Sequence, residues 1–219
     1  QPPAAEQHAE SRRSDRAADA RTIPWEAKRT FMLKLSKRHK AIIIGTILGD
    51  GCLEHRNKNV RLRLEHSIKQ EKYLLWKYKE LKSIVTGKVM KIHAFHVKKK
   101  KYYDSLRIYS FSDKSLISFW KSFYSNNKKI IPQNISKLLA DPLSLAVWFM
   151  DDGYKRNDCN AFRINTDSFK KSEQNVLCQM LKNNFGIDSS IHKKGKYWNI
   201  YIPQSSSRKF ADIVEPHII

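Results

Sequence analysis

Two short, nearly all-apolar segments, Ala41 to Gly49 and Leu145 to Met150, each run into an Asp-Gly pair, and the two aspartates, Asp50 and Asp152, lie 102 residues apart. Segments this apolar have no face to give to water, so both are predicted as buried helices stopped by glycine. Asp141 offers the second helix an N-cap, and Pro142 suits its first helical position. Each helix is followed by a strand pattern and then a further helix pattern, with Ser67 and Ser168 falling 17 and 16 residues after their aspartates. A duplicated unit of about a hundred residues predicts a pseudo-two-fold molecule whose equivalent residues meet or mirror each other across an axis.

Between the helices the period changes. Val60, Leu62 and Leu64 alternate with Arg61, Arg63 and Glu65, Phe162 and Ile164 with Arg163 and Asn165, and Trp198, Ile200 and Ile202 with Tyr197, Asn199 and Tyr201. That is the mark of strands with one face buried and one polar. A turn is expected across Lys193 to Lys196, around Gly195. Helical spacing relates Leu74, Tyr78, Leu81 and Val85, then Leu116, Trp120 and Phe123, then Val176, Met180, Leu181 and Phe185. Residues 1–30 lack apolar periodicity and read as a mobile leader or linker. The repeats are expected over 31–140 and 141–219.

Charge identifies the class of partner. The chain of 219 residues carries 42 Lys and Arg against 21 Asp and Glu. Residues 1–30 hold a net charge of only +1, leaving +20 on the part that carries the folding signals. Because 41% of the residues are hydrophobic, this is a folding polycation and not a disordered one. Such a surface repels itself and is suited to a polyanion, of which nucleic acid is the commonest; composition does not choose between DNA and RNA. The three scattered cysteines, Cys52, Cys159 and Cys178, form no disulfide framework and fit a reducing compartment. The apolar run Leu145 to Met150 is far shorter than the roughly 20 residues of a membrane span, so no membrane partner is expected.

Gly45 and Gly49, four residues apart, present a flat strip to a second helix, with Ala146 a candidate small surface opposite. Helices packed this way would end side by side, bringing Asp50 and Asp152 to two helix C-termini that already carry partial negative charge. A hard divalent cation relieves that repulsion, and Mg²⁺ held by one or two carboxylates is the usual solution in phosphodiester chemistry. A single apolar helix ending in Asp-Gly is more often a cap than a catalytic site. Two at repeat spacing in a +20 chain reverse that balance.

The segments Ile43 to Gly51 and Leu145 to Gly153 resemble the two LAGLIDADG motifs of the monomeric homing endonucleases, and the likeness extends over about Phe31 to Ile219. Asn126-Asn127-Lys128-Lys129 before Ile131-Pro132 is similar to the subfamily that includes the yeast mitochondrial omega-intron endonuclease. Thr46, Leu48, Val147, Trp148 and Met150 depart from the family letters at packing positions, while the eighth-position aspartate is intact in both copies. The resemblance implies an α+β fold of two αββαββα halves, whose antiparallel sheets form a DNA-binding saddle. It implies a monomer that cuts both strands of a long asymmetric duplex site, leaves short 3′ overhangs and so spreads its intron.

It also implies an organellar location, chloroplast or mitochondrion, and a metal site of Asp50 and Asp152 with the adjoining Gly49 and Asp151, using Mg²⁺ or Mn²⁺ in its place. Lys129, and less directly Lys128, are expected as the basic residues near the metals. A counterpart lysine would follow the last helix, past Ile219. The alternative reading is a non-cleaving maturase that binds its host intron RNA, and a DNA-binding regulator on the same scaffold is a third.

Expected nucleic-acid contacts are Arg61, Arg63, Glu65, Arg163, Asn165, Tyr197, Asn199 and Tyr201 on the polar strand faces. Lys98, Lys99, Lys100 and Lys101 at a hairpin tip, with Lys193 and Lys194, suit phosphates. His55, His66, His93 and His96 lack zinc-like spacing with Cys52 and are read as surface or phosphate-contacting residues.

Overall fold

The computed structural model describes residues 32–219, which pack as one unit; the leader expected over 1–30 lies outside the described residues. Helix α1 (Lys37–Leu48) starts at Ser36, whose hydroxyl accepts from the His39 amide, and buries every residue from Ala41 to Leu48. Strands β1 (Cys52–Arg56) and β2 (Asn59–Ser67) follow, then α2 (Glu71–Glu80), β3 (Met90–His96), β4 (Lys101–Tyr109) and α3 (Ile117–Phe123). A two-stranded hairpin, β5 (Tyr124–Ser125) and β6 (Lys128–Lys129), and the short α4 (Ile135–Leu138) lead to the second copy. That copy is α5 (Pro142–Asp152), β7 (Gly153–Lys155), β8 (Phe162–Asn165), α6 (Lys171–Phe185), β9 (Ser190–Lys194), β10 (Tyr197–Ile202) and α7 (Gln204–Val214). The Asp141 side chain caps α5 by accepting from the Leu143 amide, with Pro142 in the first turn.

The two copies repeat one topology. The first sheet has the order β1-β2-β4-β3 and the second β7-β8-β10-β9, each strand antiparallel to its neighbours. One apolar face of each sheet joins the core. On β2 the residues Val60, Leu62, Leu64 and His66 are buried, while Arg61, Arg63 and Glu65 on the other face remain partly open. α1 and α5 lie against one another, and Ile42, Ile43, Ile47, Leu145, Val147 and Trp148 are all fully enclosed in a core shared by both copies. No helix among the described residues is long and apolar enough to cross a membrane.

Two local expectations are corrected. The helical spacing through Val85 is cut short, because α2 stops at Glu80 and Val85 instead bridges Ser110. The glycines of the two Asp-Gly pairs are not left-handed caps either: neither Gly51 nor Gly153 has a positive φ, and the residues that cap the two helices, Gly49 and Gly153, have φ of −89° and −95°. What these positions need is space: a Cβ on Gly49 would run into Asp151 of the facing helix, and one on Gly153 into Phe149 of its own.

Candidate active site and nucleic-acid interface

The close approach of α1 and α5 depends on glycine. A Cβ on Gly45 would lie 2.5 Å from the Ser144 carbonyl oxygen and 2.8 Å from the Val147 Cβ; one on Gly49 would lie 2.4 Å from the Asp151 Cβ. The surface facing Gly45 is therefore Ser144 and Val147, not the expected Ala146. The main-chain contact at Gly45 cannot yield by a rotamer change. Gly45→Ala is expected to destabilise the fold by about 1–3 kcal/mol through overpacking, more than the ~1 kcal/mol that alanine gains in helix propensity. Urea unfolding would register this as a lower midpoint at unchanged slope; an unchanged or higher midpoint would contradict the contact.

This packing brings the ends of the two helices together. Burial, followed by the charge of Asp151, raises the Asp50 carboxyl from its ordinary range to about 6. Burial, followed by the charges of Asp50 and Asp151, raises Asp152 to about 7. Three carboxylates thus share one electrostatic environment. Lys129 offsets part of it. Asn126 and Asn127 adopt left-handed φ of 47° and 59° and form the two-residue turn of the β5–β6 hairpin, a conformation asparagine tolerates better than most residues. The hairpin aims the Lys129 ammonium at the end of α1, where it donates to the carbonyls of Gly49 at 2.9 Å and Gly51 at 3.0 Å. Burial pushes the Lys129 ammonium down from the usual lysine range, while Asp152 and Asp50 oppose that shift. Lys128, next in the hairpin, is exposed.

The raised aspartates set a pH dependence of definite sign. Between about pH 4 and 7 the fold retains protons on Asp50 and Asp152 that the unfolded chain has released, so this contribution to stability falls as pH rises. His66, which burial lowers to about 4, acts in the opposite direction over part of that range. A comparison of wild type with Asp152→Asn isolates the aspartate. In metal-free buffer the variant is expected to gain about 1–2 kcal/mol over wild type at pH 8, after screening by solvent, and almost nothing at pH 4. Thermal melts would show a difference of several degrees that grows with pH; a difference independent of pH would contradict the charge crowding.

Behind Asp50 lies a polar cluster that the sequence reading missed. Asp151, fully enclosed, places Oδ1 2.7 Å from the Lys77 ammonium, which is also fully enclosed, and its Oδ2 accepts the Asp50 amide at 3.3 Å. Lys77 also lies 3.1 Å from His66 Nε2 and over the Tyr73 ring. The Tyr73 hydroxyl donates to the Val147 carbonyl at 3.2 Å. His66 is 3% exposed, which corrects its reading as a surface histidine. Ligand atoms of Asp50, His66 and Asp151 lie within 4.8 Å of one another, a grouping able to hold a metal ion.

The polar sheet faces are crosslinked. Glu54 is held by Arg61 at 2.7 Å and by Arg63 at 3.1 Å, and Arg61 lies 3.9 Å over the Tyr109 ring. Glu65 accepts from Arg107 at 2.8 Å and from Ser105 at 2.6 Å. Arg107 was not anticipated, although it alternates with Leu106 and Ile108 along β4.

On the second sheet Arg163 donates to Asn199 at 3.0 Å and lies over Tyr201. Asn199 is fully buried, so the expectation that it contacts nucleic acid is corrected: it braces Arg163 from within the sheet. Asn165, opposite it in the ladder, donates to the main-chain carbonyl of Asp152 at 3.1 Å and is turned toward the helix end. Tyr197 is exposed, as are Lys193 and Lys194 on β9 and Lys98 to Lys101 at the β3–β4 tip.

An α+β fold built from two αββαββα units of one topology, with an acidic pair at the paired helix ends, defines a duplicated nuclease scaffold. The pattern of the LAGLIDADG DNA endonuclease family matches residues 40–210, and the chain belongs to that family. It is similar to DNA endonuclease I-ChuI of Chlamydomonas applanata, at 27% identity over 85% of this chain and 93% of the relative. It is also similar to cytochrome b mRNA maturase bI2 of Debaryomyces hansenii, at 26% identity over 86% of this chain and 73% of the relative. Among solved structures, the homing endonuclease I-WcaI bound to its DNA recognition sequence matches with a TM-score of 0.79 and 28% identity, over 85% of this chain and 84% of that one.

Proposed function

We propose that this member of the DNA endonuclease family is a site-specific homing endonuclease that hydrolyses one phosphodiester in each strand of a long asymmetric duplex target, leaves short 3′ overhangs and promotes the mobility of its intron. The observation that carries this reading is the placing of Asp50 and Asp152 at the adjoining ends of α1 and α5, where burial raises both carboxyls, with the charge of Asp151 adding to it at Asp50 and the charges of Asp50 and Asp151 at Asp152. Two partly buried hard-oxygen donors that repel one another fit a divalent ion, and Mg²⁺, with Mn²⁺ as a substitute, matches that donor set. Bound there, the ion would polarise the scissile phosphate and lower the pKa of an attacking water.

Asp50 and Asp152 would hold the metal, with Gly49 and Asp151 shaping its surroundings. Lys129, held by the Gly49 and Gly51 carbonyls, keeps a positive charge at the reacting centre, with Lys128 beside it on the open side of the hairpin. Arg61, Arg63, Arg107 and Arg163 are pre-oriented by their acidic, aromatic and amide partners, and Tyr197 and Tyr201 offer planar groups nearby. Lys98 to Lys101, Lys193 and Lys194 would hold phosphates. Two copies of the acidic motif in one chain support action as a monomer, and the similarity to an mRNA maturase and to DNA endonuclease I-ChuI supports an organellar intron setting.

The maturase relative also favours a second reading, binding of the host intron RNA without cleavage. Incubating the protein with a duplex spanning the intron-insertion sequence, with and without Mg²⁺, separates the two. Metal-dependent cutting of both strands supports the endonuclease. Intron-RNA binding with no cleavage in Mg²⁺ or Mn²⁺ supports the maturase.

A further inference from the structure

We propose that Lys77 is the resident cation of the Asp50–His66–Asp151 cluster and that, acting through Asp151, it is a positioning residue for Asp50. The inference rests on the reading of Asp50 and Asp152 as the metal-binding pair and says why a divalent ion is confined to their open side.

Three carboxylate and imidazole ligands within 4.8 Å of one another would ordinarily be a candidate metal site in themselves. Here the space between two of them already holds a positive charge, because the Lys77 nitrogen lies 2.7 Å from Asp151 Oδ1 and 3.1 Å from His66 Nε2. Lys77 and Asp151 are both fully enclosed, so neither can exchange its partner for water. A buried charge of either sign is tolerated only when paired, which makes the two residues mutually obligatory.

The pair also joins the two copies of the repeat. Asp151 belongs to α5 of the second copy, whereas Lys77 is on α2 and His66 on β2 of the first. The other Asp151 oxygen accepts the main-chain amide of Asp50 at 3.3 Å, at the end of α1. The corresponding position in the first motif is Gly49, and a Cβ there would lie 2.6 Å from that same Asp151 oxygen. One motif therefore supplies the carboxylate and the other the room for it. Asp50 is held by a side chain anchored in its own half of the molecule by lysine, while its carboxylate, 43% exposed, stays open to an incoming ion.

Replacing Lys77 by an uncharged side chain of similar length should turn this internal ion pair into a metal site. Lys77→Met, made in the full chain, is expected to melt at a lower temperature than wild type in metal-free buffer and to be restored by Mn²⁺ alone. Its rise in melting temperature should exceed that of wild type, and electron paramagnetic resonance titration should count one more bound Mn²⁺ per chain. Loss of packing alone would not produce a metal-dependent rescue. An unchanged metal-free melting temperature, or a Mn²⁺ response and count equal to wild type, overturns the assignment.

Should Lys77→Met fail to fold, Lys77→Met/Asp151→Ala removes both charges and the acceptor together. In that variant the Asp50 amide is expected to exchange with solvent at least about tenfold faster while the amides within α1 keep their protection, and Mn²⁺ binding should weaken about 10- to 100-fold. Wild-type protection at Asp50 in that variant, or its failure to fold, overturns the positioning role. If wild type binds no Mn²⁺ at Asp50 and Asp152, the metal-pair reading fails, whereas the rescue of Lys77→Met still decides the role of the lysine.

Discussion

Asp50→Asn and Asp152→Asn are each expected to lower the rate of duplex cleavage by about 10³, the equivalent of about 4 kcal/mol of transition-state stabilisation by a metal held at a carboxylate. Both variants should retain DNA affinity within a few-fold of wild type or exceed it, since each removes negative charge from a surface that must accept phosphate. Loss of activity cannot then be ascribed to unfolding, because each substitution removes a carboxylate whose charged form is disfavoured by burial and by neighbouring carboxylates, and should stabilise the metal-free fold at neutral pH. The measurement is single-turnover cleavage of the insertion sequence in Mg²⁺, paired with gel-shift affinity in Ca²⁺ or without metal. Cutting at the wild-type rate by either variant would remove that carboxylate from the mechanism.

DNA affinity is expected to fall by about 10³–10⁵ between 50 and 200 mM salt, the range for a protein that neutralises about 6–10 phosphates. The basis is a net charge of +20 outside the first 30 residues, with Lys98 to Lys101 exposed on one hairpin tip and Lys193 and Lys194 on another. Each lysine that meets a phosphate contributes about 0.9 to the slope of log affinity against log salt. Replacing Lys98, Lys99, Lys100 and Lys101 together by alanine should therefore flatten the slope by up to about 4 and weaken binding alike on target and non-target duplexes. Arg163→Ala should behave differently, losing discrimination between target and non-target duplexes with little change in slope. Fluorescence-anisotropy titrations at several salt concentrations would separate these effects; an unaltered slope in the quadruple variant would place the hairpin away from the DNA.

The apolar helices were legible because neither has a polar face, and the strands because burial of one sheet face enforces a two-residue period. Both rules act through local spacing. The same rules carried information that chemical type obscured. His66 continues the inward phase of Val60, Leu62 and Leu64, and Lys77 lies four residues after buried Tyr73 on the inward stripe of α2. His66 read as a surface residue on polarity alone and Lys77 carried no signal as a lysine, although their spacing put both inside. Asn199 is the corresponding case on β10, a polar residue at a strand position the sheet encloses. The Asn126-Asn127 turn was legible as a motif, but its consequence, a lysine seated on the end of a helix 80 residues away in sequence, was not.

Two copies of one unit, an apolar helix ending in an aspartate in each, and a charge suited to a polyanion all follow from the order of the residues alone. These are properties of periodicity, repetition and composition, which need no knowledge of what lies opposite. Which polar groups are enclosed, and what compensates them, is fixed by the folded arrangement: Asp151 with Lys77, Lys129 with the Gly49 and Gly51 carbonyls, Asn165 with the Asp152 carbonyl. The energy of a charge depends on the distance to its partner and on the water excluded around it. Here, for Asp151 and Lys129 alike, those distances are set by helices and strands remote in sequence and drawn together where glycine lets two backbones touch.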